Sequence, residues 1–278
     1  MKRRATQVLV TIAMAAVVAP ALAGRNCDTP QPLKTSTLER GLRLAQLTAQ
    51  ALDASGANVV VLARAGQDLS KYGLRYSHLG FAYRQPDAEF GHVWRVLHKL
   101  NQCGSADSAI YRQGLGEFFM DDLWRYEAAW AVPTPEVQAQ LMDVIQHKTR
   151  ATQLHHKPYS LVSYAWGQRY QQSNQWAVET MAIAMQAPDH HTNTTAGRAH
   201  AQRWMQTHGY RPTVLRIGAL TRLGGRMGAA NIAFDDHPTD QRFSDQIATV
   251  TVDSVFDWMT RAGLTTQAVW YKRDHSTP

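Results

Sequence analysis

The stretch spanning residues 59–84 constrains the fold of this chain most strongly. Two apolar runs of strand-forming residues, 59–63 and 79–83, flank a polar loop that contains two glycines, Gly66 and Gly73. Apolar runs separated by a polar, glycine-containing loop are typical of two β-strands joined by a connection. We therefore expect a strand pair here, with the remaining elements packed around it.

His78 stands at the entrance of the second of these strands, between Ser77 and Leu79 and two residues before Gly80. Small neighbours at a strand entrance can keep an imidazole fixed and reachable, which a general base requires. The alternative is that His78 is an ordinary half-buried strand residue. Residue type alone leaves both interpretations open.

The N-terminus has the pattern of a secretory signal peptide. Lys2, Arg3 and Arg4 are followed by an apolar run at 8–18 and by the small-x-small sequence that ends at Ala23. The apolar core is too short for a membrane span. We expect cleavage after residue 23, export to the periplasm without a membrane anchor, and a single domain over residues 24–278.

The charge of the chain excludes one class of partner. The net charge of +7 falls to +4 once Lys2, Arg3 and Arg4 are removed, and no Lys/Arg run remains. A chain without a basic cluster lacks the usual signature of nucleic-acid binding. Mild basicity suits an anionic polymer of the cell envelope, and the sequence leaves the oligomeric state open.

The two cysteines, Cys27 and Cys103, both follow the expected cleavage site. In an oxidising compartment such a pair is expected to form one disulfide. Closing a loop of this length stabilises the fold by about 4 kcal/mol, less any strain. The alternative, Cys103 as a free nucleophile, is disfavoured because a partner thiol is available.

Hydrophobic periodicity predicts an α+β fold with a small, mostly antiparallel sheet or open barrel packed against several helices. Helical spacing or caps mark several segments, and short apolar runs bounded by turns mark the strands. Residues 114–122 are expected to form a loop that carries two buried aromatic side chains. The expected helices are 35–54, 136–148, 173–185, 198–208 and 253–261, and the further strands are 93–100, 109–111, 126–132, 213–217 and 247–252.

Ser173 has the local features of a nucleophile, because it lies at the start of a predicted helix. The amides and dipole of a helix N-terminus favour negative charge on a serine oxygen or on a substrate oxyanion. A serine needs a base within hydrogen-bonding reach, and His78 is the best candidate. His98 or Asn101, on or just after the next strand, would orient that base. The alternative is that Ser173 only caps the helix.

Five strings together resemble an uncharacterised family of secreted proteobacterial proteins that is known only as a domain of unknown function. The resemblance covers nearly the whole chain after the signal peptide and implies no established activity. The strings are RAGQDLSKYGLRYSHLGF, HKLNQCGS, QGLGEFFMDD, YQQSNQWAVE and AANIAFDDHP.

More distantly, the order of parts is similar to the circularly permuted branch of the papain-like, NlpC-type peptidase and amidase superfamily. In that branch a histidine motif on a strand comes first, a polar residue on the next strand follows, and the nucleophile at a helix start comes last. The histidine motif matches residues 77–80 of this chain, and the nucleophile motif matches residues 173–176. The resemblance implies a permuted papain-like fold and a hydrolase or acyl-transfer enzyme. Its substrate would be an amide or ester of the envelope, such as a peptidoglycan peptide.

This chain departs from that superfamily at the nucleophile, where it has Ser173 in place of cysteine. A site built for a thiolate gives little help to a hydroxyl, whose pKa is far higher. Either the chain is a serine variant with a strong base, or it is a non-catalytic binding module on the same fold. Under both readings the neighbouring side chains Gln172, Asn174, Gln175 and Trp176 are the expected substrate-binding residues.

Three histidine-containing clusters are weaker candidates for a metal site. Adjacent side chains rarely converge on one ion without further ligands, and residues 235–238 have the pattern of a turn. We therefore predict neither a metal nor another cofactor. The clusters are His155-His156, Asp189-His190-His191 and Asp235-Asp236-His237.

Overall fold

A computed structural model describes residues 32, 34–121, 123–186 and 194–271. Within these ranges the chain forms nine α-helices and eight β-strands. The helices are α1 (Thr35–Ala54), α2 (Leu115–Phe119), α3 (Pro135–Gln146), α4 (Lys148–Thr152), α5 (Ser173–Ala184), α6 (Thr194–Thr207), α7 (Ala219–Gly228), α8 (Thr239–Arg242) and α9 (Val252–Arg261). The strands are β1 (Val59–Ala65), β2 (His78–Asp87), β3 (Gly91–Asn101), β4 (Ser108–Gly114), β5 (Arg125–Pro133), β6 (Thr213–Arg216), β7 (Gln246–Thr249) and β8 (Thr265–Tyr271).

The main sheet is antiparallel and has the strand order β4-β3-β2-β1-β5-β8. Its two edge strands do not pair with each other, so the sheet is open and does not close into a barrel. A second sheet consists of β6 and β7. The predicted α+β fold is confirmed. The expectation allowed either an antiparallel sheet or an open barrel, and the strands form the sheet.

The centre of the main sheet is the predicted strand pair, β1 and β2. Every residue of β1 is buried, because helices cover both faces of the sheet. Successive strand side chains point to opposite faces. Odd-numbered residues such as Val61 and Phe81 pack against α3, α5 and α9, whereas even-numbered residues such as Leu62 and Ala82 pack against α1 and α2. The molecule is therefore a three-layer arrangement of helices, sheet and helices.

Local chemistry explains the hairpin between β2 and β3. The side chain of Asp87 accepts hydrogen bonds from the backbone N–H groups of Glu89 and Phe90, at 3.0 Å each. Gly91 then adopts a φ of 73°, a left-handed conformation that glycine enters without steric cost. The turn sets the register in which Phe81 faces Leu97 across the two strands.

Several sequence-based expectations needed correction. The segment expected to be a loop at 114–122 contains the helix α2, whose first turn is closed by a hydrogen bond from Gly114 N–H to the Glu117 carboxylate. Its two aromatic residues, Phe118 and Phe119, are buried as predicted. The helix expected at 253–261 begins one residue earlier, at Val252, and its cap is Thr251. Strand β8 was not predicted.

Three predictions fall outside the described residues. These are the signal peptide at 1–23, the cysteine Cys27, and the cluster Asp189-His190-His191. The signal peptide and the pairing of Cys27 with Cys103 therefore remain predictions. Among the helices that the structure describes, none is both long and apolar enough to cross a bilayer.

Candidate functional site

Two histidines on neighbouring strands form the candidate site. His78 is the first residue of β2, as predicted, and His98 lies near the end of β3. The Nε2 atom of His78 is 2.9 Å from the Nδ1 atom of His98. Both rings contact Phe118 of α2, so they lie on the sheet face that α1 and α2 cover. His98 is completely buried, and His78 keeps 9% of its surface exposed.

Gln113 on β4 extends the pair into a chain of three side chains and thereby determines the tautomers. The Nε2 atom of His98 is 2.8 Å from the Gln113 side-chain oxygen, which can only accept. His98 therefore donates through Nε2 and accepts at Nδ1 from the Nε2–H of His78. The lone pair of neutral His78 is then on Nδ1. That atom has no hydrogen-bond partner within the described residues.

Two residues of the motif at 77–80, Ser77 and Gly80, have structural roles beside His78. The Ser77 hydroxyl accepts hydrogen bonds from the N–H groups of Gly66 and Gln67, which holds the β1–β2 loop against the strand entrance. Gly80 lies beneath His98, where an added Cβ would be 2.8 Å from the His98 Cβ. Only glycine allows β2 and β3 to approach so closely at this point.

Burial and a nearby arginine keep both imidazoles neutral. Burial, together with the Arg64 guanidinium, lowers the pKa of His78 well below its usual value. The same two causes, in the same order, lower the pKa of His98 to about 4. Arg64 is held by the carbonyl of Phe118 and by the carboxylate of Asp121. An uncharged imidazole with a free lone pair is the form in which histidine acts as a base.

The structure does not place Ser173 with these histidines. Ser173 is the first residue of α5, as expected, and Gln172 rather than Ser173 provides the helix cap. Helix α5 packs on the opposite face of the sheet from His78 and His98. The Ser173 hydroxyl is buried and lies 3.5 Å from the hydroxyl of Tyr159. No hydrogen bond joins Ser173 to His78 in the part of the chain that the structure describes.

Asn174 links α5 to the backbone on either side of His78. Its side-chain oxygen accepts from Leu79 N–H at 3.0 Å, and its side-chain nitrogen donates to Ser77 C=O at 3.3 Å. The ladder between β2 and β3 ends at Phe81, so these two groups have no partner on β3. The amide of Asn174 therefore pairs with backbone groups of β2 that lie beyond the end of the β2–β3 ladder.

The other expected substrate-binding residues are engaged inside the protein. The Gln172 side chain donates to the hydroxyl of Thr249, and Gln175 accepts from Ser163 Oγ at 2.8 Å. Trp176 is fully buried, with its ring 5.9 Å from that of Phe81. In this conformation these side chains stabilise the N-terminal end of α5 and do not line an open cleft.

Two residues were expected to orient His78. His98 contacts it, whereas Asn101 does not. The side-chain nitrogen of Asn101 donates to the carbonyls of Ser105 and Asp107, at 2.9 and 2.8 Å. Its side-chain oxygen accepts from Asn231. Asn101 therefore closes the turn between β3 and β4 and connects it to a distant loop.

Sequence reasoning missed a buried ionic network beside Ser173. Glu179 of α5 and Arg198 of α6 form an ion pair with an N–O distance of 2.8 Å, and both side chains are almost fully buried. Gln171 donates to Glu179 and accepts from Lys99, whose pKa burial lowers well below its usual value. Three further bonds run from Arg198 to carbonyls of the irregular segment at 167–170. The one detectable signal was a glutamate alone in an apolar helix.

The described residues contain no group of three or more His, Cys, Asp or Glu side chains that could hold a metal ion. The motif at 235–237 instead anchors loops. Asp236 accepts from Tyr164 N–H at 2.8 Å, and His237 donates to Val162 C=O at 2.8 Å. The His156 ring contacts the carbonyl of Arg169.

Comparison with known proteins places the chain in a family without an assigned activity. No curated protein and no solved structure matches it. The sequence model of one family, described as "Uncharacterized protein conserved in bacteria (DUF2145)", matches residues 51–259, which include every described side chain of the histidine site. The chain belongs to the DUF2145 family.

Proposed function

We propose that this protein is an exported accessory module of the cell envelope that binds an envelope polymer without cleaving it through Ser173. One observation carries the part of the proposal that denies cleavage through Ser173. The hydroxyl of Ser173 and the imidazole of His78 lie on opposite faces of the sheet, and the hydroxyl is buried beside Tyr159. A serine becomes a nucleophile only with a base at about 3 Å, and the layer of strands separates this pair.

The test compares cleavage with binding in purified protein. We expect no hydrolysis of peptidoglycan or of model esters, either by the unmodified chain or by the Ser173→Cys variant. Retention of the protein on isolated peptidoglycan should be the same for the unmodified chain and for Ser173→Ala. Hydrolysis that Ser173→Ala abolishes in a folded protein would refute the proposal, as would the absence of retention on the polymer.

A second candidate function is favoured by the free lone pair on Nδ1 of His78. The hydrogen-bonded chain through His98 to Gln113 orients the ring, as a base requires. On this candidate the protein is a hydrolase of envelope amides or esters in which His78 removes a proton from a water molecule. The water oxygen then forms the bond to the carbonyl carbon, the bond from that carbon to the amide nitrogen or ester oxygen breaks, and His78 returns its proton to the leaving group.

The variants His78→Ala and His98→Gln separate the two candidates. A hydrolase should lose its activity with His78→Ala and should show a shifted pH–rate profile with His98→Gln, because that change removes the orienting imidazole. His147→Gln is the matched control, since His147 lies on the surface away from the sheet. Equal activity in His78→Ala and in the unmodified chain would eliminate this candidate.

A further inference from the structure

Lys99 of β3 and Gln171, which lies just before α5, are neighbours in the buried ionic network. Both residues are completely buried, and the Nζ atom of Lys99 is 2.7 Å from the Oε1 atom of Gln171. The carbonyl carbon of Gln171 is bonded directly to that oxygen, so the amine lies beside an amide carbon that it can attack. The two residues are 72 positions apart in the chain. The fold thus holds an amine against a side-chain amide from a distant segment, away from solvent.

The amine of Lys99 is held in its uncharged, nucleophilic form. Burial, and then the Arg198 guanidinium, lowers the pKa of Lys99 well below its usual value. Within the described residues its Nζ atom donates two hydrogen bonds, to the carbonyl of His156 and to the side chain of Gln171, at 2.7 Å each. A neutral amine has two N–H bonds and one lone pair. The two contacts therefore use both hydrogens and leave the lone pair to react.

The side-chain amide of Gln171 is contacted at both ends by groups that assist an attack on it. The backbone N–H of His156 donates to Oε1 at 2.9 Å, where negative charge develops when an amine attacks the carbonyl carbon. The Nε2 atom, which is the leaving group in such an attack, donates to the Glu179 carboxylate at 2.6 Å. Arg198 and Gln202 fix the position of that carboxylate. A carboxylate in contact with a leaving nitrogen can carry a proton to it.

We propose that Lys99 and Gln171 form an intramolecular isopeptide bond, with Glu179 as the proton carrier. The lone pair of Lys99 Nζ forms a bond to the Cδ atom of Gln171, and the bond from Cδ to Nε2 then breaks. Glu179 takes a proton from the attacking nitrogen and passes it to the leaving nitrogen, which departs as ammonia. The products are one secondary amide and one ammonia molecule, and the reaction consumes no other reactant.

The bond joins the main sheet to the segment that leads into α5. It closes a loop of chain that contains β4, β5 and α3, and a closed loop restricts the unfolded state. Unlike a disulfide, an amide bond survives reducing agents. The bond involves neither His78 nor Ser173, so it holds whichever of the two candidate functions the protein serves.

Mass spectrometry of the purified, reduced protein tests for the bond directly. The intact mass should be lower than the mass calculated from the sequence by one ammonia, which bond formation releases. Trypsin should yield residues 96–112 and 170–198 as one joined peptide, because it does not cleave after a modified Lys99. An intact mass equal to the calculated one would overturn the proposal, as would a loss of ammonia located at other residues.

Three variants test the role of each group. Lys99→Met removes the amine and Glu179→Gln removes the proton carrier at nearly constant side-chain size, so each should show its full calculated mass and two separate peptides. Lys157→Met is the matched control, because Lys157 is an exposed lysine paired with Asp107, and it should keep the loss of ammonia. A joined peptide in Glu179→Gln, or its absence in Lys157→Met, would contradict the assigned roles. If a buried variant does not fold, the mass of the unmodified chain still decides.

Discussion

His78 and His98 are joined through their rings at the point where the main-chain ladder between their strands ends. Phe81 and Leu97 are the last paired residues at this end of β2 and β3, and the imidazole contact of 2.9 Å lies just beyond them. Side chains thus replace the missing backbone pairing on one face. Asn174 does the same for the backbone groups of Leu79 and Ser77, which lie beyond the end of this ladder.

Acid should destabilise the protein through its buried histidines. Burial lowers the pKa of His98 to about 4 in the folded protein, whereas an unfolded chain has the ordinary histidine pKa of about 6.5. Between these two pH values the unfolded chain binds a proton that the native protein does not. The free energy of unfolding should therefore fall as the pH decreases through this window, by up to about 1.4 kcal/mol per pH unit for each such group. His155, whose pKa burial also lowers to about 4, adds to the effect.

Urea unfolding at a series of pH values measures this dependence. His98→Gln should flatten the curve between about pH 6.5 and 4, whereas the exposed His147→Gln should leave it unchanged. Parallel curves for His98→Gln and the unmodified chain would show that the buried pair is not the source.

Gly80→Ala should destabilise the protein by about 1 to 3 kcal/mol, because overpacking a close contact forces the backbone or a neighbouring side chain to move. The new Cβ would meet the His98 Cβ at 2.8 Å and the Leu97 carbonyl oxygen at 3.0 Å. Gly224→Ala is the matched control, since an added Cβ on α7 meets nothing within 4 Å and alanine favours the helix. Equal midpoints of urea unfolding for both variants would contradict the assigned contact.

Asn174→Ala should cost about 1 to 3 kcal/mol, because it leaves the buried Leu79 N–H without an acceptor. The exposed Asn58→Ala serves as the control and should change the free energy of unfolding by less than about 0.5 kcal/mol. Hydrogen exchange provides a local reading, since the Leu79 amide should lose its protection in Asn174→Ala. Unchanged protection of that amide would show that Asn174 is not its hydrogen-bond acceptor.

Glu179→Ala should be the most damaging of these changes. Removing one partner of a buried ion pair leaves the other charge uncompensated, at a cost of about 3 to 5 kcal/mol. In this case Arg198 would be left without its carboxylate. Lys157→Ala breaks an exposed pair with Asp107 and should cost less than about 1 kcal/mol. Similar losses of thermal stability in both variants would argue against a structural role for the buried network.

The sequence predicted the elements whose signal is local and repeated. The first helix was expected at 35–54 and found at Thr35–Ala54, because its apolar spacing persists over 20 residues. The starts of β2 at His78 and of α5 at Ser173 were also found where they were expected. The five-residue helix α2 was missed because a segment so short has no measurable periodicity.

The candidate site was predicted in part. His78 and His98 were selected as neighbours from their positions on consecutive strands, and the structure joins them. Their partner Gln113 was not recognised, since β4 was expected to end at residue 111 rather than at Gly114. The buried partners of Glu179 lie on other elements, and no spacing within α5 indicates them.

By itself, the sequence determined where most of the longer strands and helices lie, because propensity and periodicity act within a few residues. Only the tertiary structure decided on which face of the sheet each side chain lies. That choice depends on strand register and on which helices cover each face, and a register shift of one residue reverses it. It is this choice that places His78 with His98 beneath α2 and leaves Ser173 with Tyr159 on the other side.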